Sequence, residues 1–402
     1  EPITQENIEE AATFAKLHGE PFNREGWELV LNKYDGLLPI TIRGVPEGMP
    51  IKSGLPLVFI ECTIPELSWL VGWIEASIQR AVWSCSTVAS RDYEFKKDLK
   101  LLYENSGSPL EDLEFALHDF GARGVTSGES AMYSGGAHLY NFMGSDTVEG
   151  VRFVNKAYGN PMSAYSVRAT EHYIECSYGL SSEQESEYLK AVLDNWAKPG
   201  QIVSIVIDGR DTIRAATKLC TEFKDQIIAS GAKVVFRPDS GDMMEIVPRI
   251  LQLQDLAFGH TFTSKGYKKI NNVGIIQGDG VNRLNALSLI GKIMAMGYSA
   301  NNVVFGSGGS LLQDMTRDTF KFTMKVTSRL TKDGWIDVIK DPITDPEKKS
   351  LAGRLDIFRS KVTGEIMVLP FDTTSNEFDS ITLLYYHYGK VYNVPTIEEI
   401  RA

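Results

Sequence analysis

Val234-Val235-Phe236-Arg237-Pro238-Asp239-Ser240-Gly241-Asp242 is an apolar run that ends abruptly in a guanidinium, a carboxylate and a glycine turn. The run reads as a buried strand, and the apolar-periodic segment from Met243 to Leu256 reads as a helix. Charge at the C-terminal end of a buried strand is where α/β proteins build active sites. The pattern recurs in the chain. Gln201–Ile207 runs into Asp208-Gly209-Arg210-Asp211, Val273–Ile276 into Gln277-Gly278-Asp279-Gly280, and Asn302–Phe305 into Gly306-Ser307-Gly308-Gly309-Ser310. Four successive units therefore place their polar residues at one end.

From Phe115 to about Leu312 the chain alternates strand, polar turn and helix, the signature of parallel βαβ units. A TIM-like (β/α) barrel, a closed ring of strands, is expected over 111–318. Upstream, residues 4–34 look helical, with Phe14, Leu17, Trp27, Leu29, Val30 and Leu31 as expected buried positions. Pro39, Pro46, Gly48, Pro50, Gly54 and Pro56 cut 37–64 into short strands. An amphipathic helix follows, with Leu67, Leu70, Val71, Ile74, Ile78, Ala81 and Val82 at helical spacing. Trp69, Trp73 and Trp83 flank that stripe and read as core packing. Helix continues over 91–117, broken at Gly107-Ser108-Pro109. Beyond Thr319, residues 354–360, 365–369 and 381–387 alternate apolar with polar. Residues 1–110, helical and β-rich, are expected to pack with the β-rich 319–402 as one smaller domain. Ser182 with Glu185, and Thr396 with Glu399, are expected helix-capping boxes.

At 402 residues the chain is long for one core, which agrees with a large domain plus a smaller one. The net charge of −11 argues against nucleic acid or an anionic membrane as the main partner. Cys62, Cys85, Cys176 and Cys220 show no C-x-x-C spacing and read as reduced, mostly buried thiols of a cytoplasmic protein. No apolar run approaches a membrane span. The chain opens Glu1-Pro2 without Met, so an upstream start is expected.

Gly306-Ser307-Gly308-Gly309-Ser310 precedes a helix expected to begin at Leu311. Convergent backbone N–H groups there suit a phosphate, as at the late strands of a barrel. A tight turn is the bland alternative, but five small residues in a row exceed what a turn requires. Asp208, Asp239 and Asp279 are expected to face one cavity from neighbouring strand ends. Such carboxylates repel unless a cation or ligand hydroxyls intervene, which suits Mg²⁺ on a diphosphate. With Arg237 the set suggests a phosphorylated sugar. His118-Asp119-Phe120-Gly121-Ala122-Arg123-Gly124 could stack a planar ring and hold an anion, although a His-Asp pair is as often structural. His172 follows a short strand-like run; alone it would read as a satisfied structural histidine.

These residues resemble the nicotinamide phosphoribosyltransferases, within the type II phosphoribosyltransferases. The matching runs are LHDFGARGV at 117–125, AHLYNFMGSDT at 137–147 and Thr170-Glu171-His172. FRPDSGD at 236–242, IIQGDGVN at 275–282, FGSGGSLLQDMTRD at 305–318 and KDPITDP at 340–346 complete a match over nearly the whole chain. The resemblance implies an enzyme that joins nicotinamide to phosphoribosyl pyrophosphate, with Mg²⁺, to give nicotinamide mononucleotide and pyrophosphate. It implies that Phe120 and Arg237 sandwich the nicotinamide ring and that Asp146 accepts a hydrogen bond from the carboxamide. Asp239, Asp279 and Gly278 would hold ribose hydroxyls. Asp208 and Asp239, with Arg123 beside them, would support the Mg²⁺–pyrophosphate, and Gly308 and Gly309 the 5′-phosphate. Arg317, Thr323, Lys325 and Lys340 match positions that reach phosphates, partly across a homodimer interface. His172 matches a histidine phosphorylated from ATP. An upstream aromatic that covers the partner subunit's base is implied too, and Ala122 stands where animal members carry an aromatic. A nicotinate-specific transferase, or an inactive ligand-binding homologue, are the alternatives.

Overall fold

The computed structural model describes residues 1–402, the side chain of Glu347 excepted. The chain divides into two compact units, one of 1–83 with 320–400 and 402, the other of 84–319 with 401. The helix Glu75–Ser106 runs unbroken through the first division. Its Val88, Phe95, Leu99 and Tyr103 are buried in the core of the second unit, so residues 84–110 belong there.

The second unit holds a curled sheet of seven strands: β1 (Leu117–Asp119), β2 (Gly144–Ser145), β3 (Arg168–Ala169), β4 (Ile202–Val206), β5 (Lys233–Arg237), β6 (Val273–Gln277) and β7 (Val303–Ser307). Their order is β2-β1-β7-β6-β5-β4-β3, and every pairing is parallel. The ring is not the closed barrel expected from the sequence. Its edges β2 and β3 are two residues each. Among the described residues they are linked only through a single bridge, Gly144 to Tyr165, three residues before β3. Closing the ring needs a run of backbone hydrogen bonds between the two edges, and each two-residue edge pairs in a ladder only with its inner neighbour, β1 or β4.

The central strands form because β-branched and aromatic residues fill them on both faces, as a helix-covered parallel sheet requires. Val203, Ile205, Val206, Val234 and Phe236 are fully buried, with Val203 opposite Val234 and Ile205 opposite Phe236. Each such side chain contributes about 1.5–3 kcal/mol through burial. Helices Ser182–Trp196, Thr212–Thr221, Met243–Phe258 and Arg283–Ala295 supply the covering leucines and isoleucines. The helix at 182 starts one residue earlier than its expected box: Ser181 caps it, with Gln184 returning the bond. Glu185 instead takes a two-pronged ion pair from Arg214.

The other unit joins both ends of the chain in one antiparallel sheet, in the order Lys390–Val391, Leu383–His387, Thr41–Gly44, Val58–Glu61. A second sheet pairs Leu355–Ser360 with Ile366–Pro370 and Phe378–Ser380. Ile8, Trp27, Val30, Ile40, Leu67 and Leu70 form its core. Phe14 and Leu17, expected inside, are 65% and 84% exposed. The helix Gln5–His18 turns Ile8 and Ala15 inward instead. Trp73 is also exposed, while Trp69 meets Trp27 edge-on. The capping box at Thr396 and Glu399 is present. Of the cysteines, Cys220 is buried and Cys176 exposed, the latter against expectation. No described helix is long and apolar enough to cross a membrane.

Candidate active site

Every strand of the curled sheet is followed, at its C-terminal end, by at least one candidate site residue. Along the sheet these are Asp146 after β2, Phe120 and Arg123 after β1, Gly308 and Gly309 after β7, and Gly278 and Asp279 after β6. Arg237 and Asp239 follow at β5, Asp208 after β4, and Glu171 and His172 after β3. Parallel strands align all their carboxyl ends, so segments remote in sequence meet here.

At the centre, His172 Nε2 lies 2.8 Å from Asp208 Oδ1 and His172 Nδ1 lies 4.0 Å from Asp239 Oδ2. His172 is the first residue of the helix His172–Tyr178. Asp208 is almost wholly buried, and the imidazole beside it is 42% exposed. Arg237 is buried as well. Its Nη1 donates to Glu171 Oε1 at 3.2 Å, its Nη2 stands 4.0 Å from Asp239 Oδ2, and its Nε has no partner. A buried guanidinium with an unused donor is a site that a ligand can complete. Burial pushes the Asp239 carboxyl up from its ordinary value; Arg237 opposes this, and Asp208 reinforces it.

Phe120 lies in a notch made by missing side chains. A Cβ on Gly306 would stand 2.0 Å from the Phe120 ring, and one on Gly278 would stand 2.7 Å from Asp239 Oδ1. Phe120 N–H donates to Ser307 at 2.9 Å. Ser166 donates its hydroxyl to Asp146, whose carboxyl is pushed up chiefly by the protein around it. The loop after β7 differs slightly from expectation, since its helix begins at Gly309 rather than Leu311. Ser307 and Ser310 hydroxyls donate to Val281 O at 3.1 and 3.3 Å, tying this loop to the one carrying Asp279. A Cβ on Gly124 would fall 2.6 Å from Gly309 Cα, so the turn with Arg123 touches the loop too. Arg317 is exposed and pairs with Asp318 at 3.0 Å. Thr323, Lys325 and Lys340 belong to the other unit and are exposed; the Lys325 ammonium donates to Thr323, and Lys340 N–H donates to Ser350 at 2.9 Å.

Three acids had no site role in the sequence reading. Buried Asp119 accepts Gly121 N–H on Oδ1 at 2.7 Å, and its backbone oxygen accepts Asp146 N–H at 2.9 Å, so one residue orients two site loops. Glu171 holds Arg237. Glu175 is buried beside Asp208 and His172, and burial pushes its carboxyl up to about 7. The only sequence signal for Glu175 is its i+3 spacing from His172, which puts both on one helix face.

A model of the nicotinate phosphoribosyltransferase (NAPRTase) family matches residues 115–365. A nicotinamide phosphoribosyltransferase of Xanthomonas campestris pv. campestris (strain 8004) is 40% identical over 406 aligned residues, covering 100% of this chain and 86% of that protein. One from Acinetobacter baylyi is 32% identical over 390, covering 91% and 76%. The crystal structure of human nicotinic acid phosphoribosyltransferase is similar with a TM-score of 0.51 at 13% identity, over 99% of this chain and 81% of that one, a likeness of fold. The chain belongs to the nicotinate phosphoribosyltransferase family.

Proposed function

We propose that this protein transfers the phosphoribosyl group of phosphoribosyl pyrophosphate to nicotinamide, giving nicotinamide mononucleotide and pyrophosphate, a step of NAD salvage. The names of its relatives support this. The observation that carries it is the placement of Phe120, Asp146 and Arg237 at one end of one sheet. Phe120 and Arg237 take the pyridine ring between an aromatic face and a guanidinium plane. Asp146 accepts from the carboxamide N–H₂. Nicotinate would set its own carboxylate against Asp146, and that repulsion rejects the acid.

The pyridine nitrogen already has a free lone pair, so no base is needed to create the nucleophile. As its bond to C1′ forms, the C1′–O bond breaks with inversion, and the electron pair leaves on pyrophosphate. Stabilising that leaving charge is the main catalytic task. Gly308 and Gly309 hold the 5′-phosphate, and Asp239, Asp279 and Gly278 the ribose hydroxyls. Arg123 stands beside the pyrophosphate, and Arg317, Thr323, Lys325 and Lys340 reach phosphates partly across the homodimer interface.

A hard divalent cation fits the carboxylates present: Asp208 stands close enough to Asp239 to help push the Asp239 carboxyl up, as neighbouring acids do at a cation site. They would hold Mg²⁺ through the pyrophosphate, and the ion would neutralise charge on the leaving group. His172 would accept a phosphoryl group from ATP. Its Nε2 donates to Asp208, which leaves the Nδ1 lone pair facing Asp239 and the cleft. The working form is a cytoplasmic homodimer.

Steady-state kinetics with both bases test the reading. kcat/KM is expected to favour nicotinamide over nicotinate by at least about 100-fold, as a site with a charged polar partner discriminates. Asp146→Asn is expected to shrink that ratio at least about tenfold. A preference for nicotinate, or an unchanged ratio in the variant, overturns the assignment.

A further inference from the structure

We infer that His172, Glu175 and Asp208 form a binding site for a divalent cation of the zinc class, selective over Mg²⁺. One ligand atom from each of the three lies within 4.8 Å of the others. His172 and Glu175 stand one turn apart on the helix His172–Tyr178, while Asp208 reaches them from the end of β4. Glu175 carries the independent observation. It is 6% exposed, and its Oε2 is buried with no hydrogen-bond partner. Position 209 admits this, since a Cβ on Gly209 would fall 2.7 Å from that oxygen. A buried carboxylate oxygen left unpaired beside a second carboxylate and an imidazole has a cation as its natural complement.

The donor set decides which cation. One imidazole nitrogen with two carboxylates suits zinc and its neighbours, whereas Mg²⁺ takes oxygen and keeps its waters. Zinc bonds of about 2.0–2.2 Å put ligand atoms roughly 3.3–3.6 Å apart, so the His172–Asp208 pair, now at 2.8 Å, would open slightly while the wider separations, up to 4.8 Å, would close. His172 is partly exposed, which leaves an outward coordination position open to solvent or ligand. Asp208 is shared with the proposed Mg²⁺–pyrophosphate set; His172 and Glu175 are not. The competing occupant is water. A cavity of about 10 Å³ beside Glu175, also lined by Gly209, Tyr188 and Arg214, has room for one molecule. A cation on the imidazole would bar phosphorylation of His172, a consequence that rests on the function proposed above.

The test is calorimetric titration of the full chain with Zn²⁺ in the presence of excess Mg²⁺. One ion per chain is expected. Glu175→Gln and His172→Asn should each weaken binding at least about tenfold, with His260→Asn, which alters another histidine–carboxylate pair, as the unchanged control. Co²⁺ in place of Zn²⁺ should give a visible absorption band that Glu175→Gln removes. No uptake of Zn²⁺ over Mg²⁺ overturns the proposal, as does a Glu175→Gln chain that binds like the parent; the second result assigns Oε2 to water. Where Glu175→Gln folds poorly, His172→Asn decides between the two occupants. Neither substrate nor turnover enters the measurement, so its failure is distinct from failure of the transferase reading.

Discussion

Both units of the molecule carry an arginine–acid cluster against an aromatic ring, and the two clusters are finished differently. In the smaller unit, Arg43 and Arg354 lie on either face of Phe371, at 4.1 and 3.9 Å from its centroid. Asp356 accepts four bonds there, from Arg43, Ser380, Thr382 and its neighbour's backbone N–H at Ile357. Arg354 is two-pronged on Glu61 at 2.8 and 3.1 Å. Among the buried side-chain atoms of this cluster only Arg43 Nη2 lacks a hydrogen bond, and Glu61 stands 3.9 Å away. At the strand ends of the curled sheet the same residue types are left incomplete. Arg237 Nε, Asp119 Oδ2 and Glu175 Oε2 are all buried without partners, and Arg237 reaches Asp239 only at 4.0 Å. A saturated cluster serves the fold; an unsaturated one, built at a cost in stability, awaits a ligand.

The sharpest way to break that contrast is a pair of isosteric changes. Asp239→Asn is expected to lower kcat/KM by about 10²–10³ while leaving the melting temperature nearly unchanged. Asp356→Asn is expected to destabilise by about 3 kcal/mol, because it removes the charge partner of the largely buried Arg43, with little loss of kcat per folded molecule. Transfer assays alongside denaturant melts check both, and an exchange of the two outcomes would refute the distinction.

A smaller effect concerns acid. Burial holds His118, on β1, down to about 4 from its ordinary 6.5. The unfolded chain therefore binds a proton that the folded one refuses, and stability falls as pH drops from about 6.5 to 4. The loss is no more than about 3 kcal/mol from this group. Urea melts at several pH values should show the slope in the parent and a weaker one in His118→Gln. An equal slope in both would place the acid lability elsewhere.

The smallest expected change tests the notch. Gly306→Ala adds a methyl where the Phe120 ring lies. It should raise KM for nicotinamide roughly tenfold, at a stability cost of about 1–3 kcal/mol, with KM for phosphoribosyl pyrophosphate moving less. Equal rises in both constants would mean that Phe120 does not report on the base alone.

How much of this was legible in the sequence depended on local signal. β4 to β7 were readable because each is a run of buried apolar residues closed by a polar turn, and that end rule alone placed Asp208, Asp239, Asp279 and the 306–310 loop at one edge. β2 and β3 were not, since two-residue strands carry no periodicity, and so the ring was read as closed. Phe14 and Leu17 misled because a helix with one thin buried stripe can leave large apolar residues in water. Glu185 looked like a capping residue, but tertiary contact with Arg214 claimed it. Asp119 and Glu175 matter through burial and missing partners, which only the folded arrangement reveals.

The meeting of the sheet's edges at Tyr165 has one more implication. Between β1 and β4 the strands are stitched by continuous ladders through β7, β6 and β5, whereas Asp146 follows a two-residue edge that pairs with β1 on one side and meets Tyr165 through a single bridge on the other. On the function proposed above, substitutions near 143–146 and 165–169 would therefore reshape what lies around the base while leaving the ladders that carry the sugar-phosphate residues in place. Descendants of such a scaffold are free to change which base they accept while inheriting the same handling of the activated pentose.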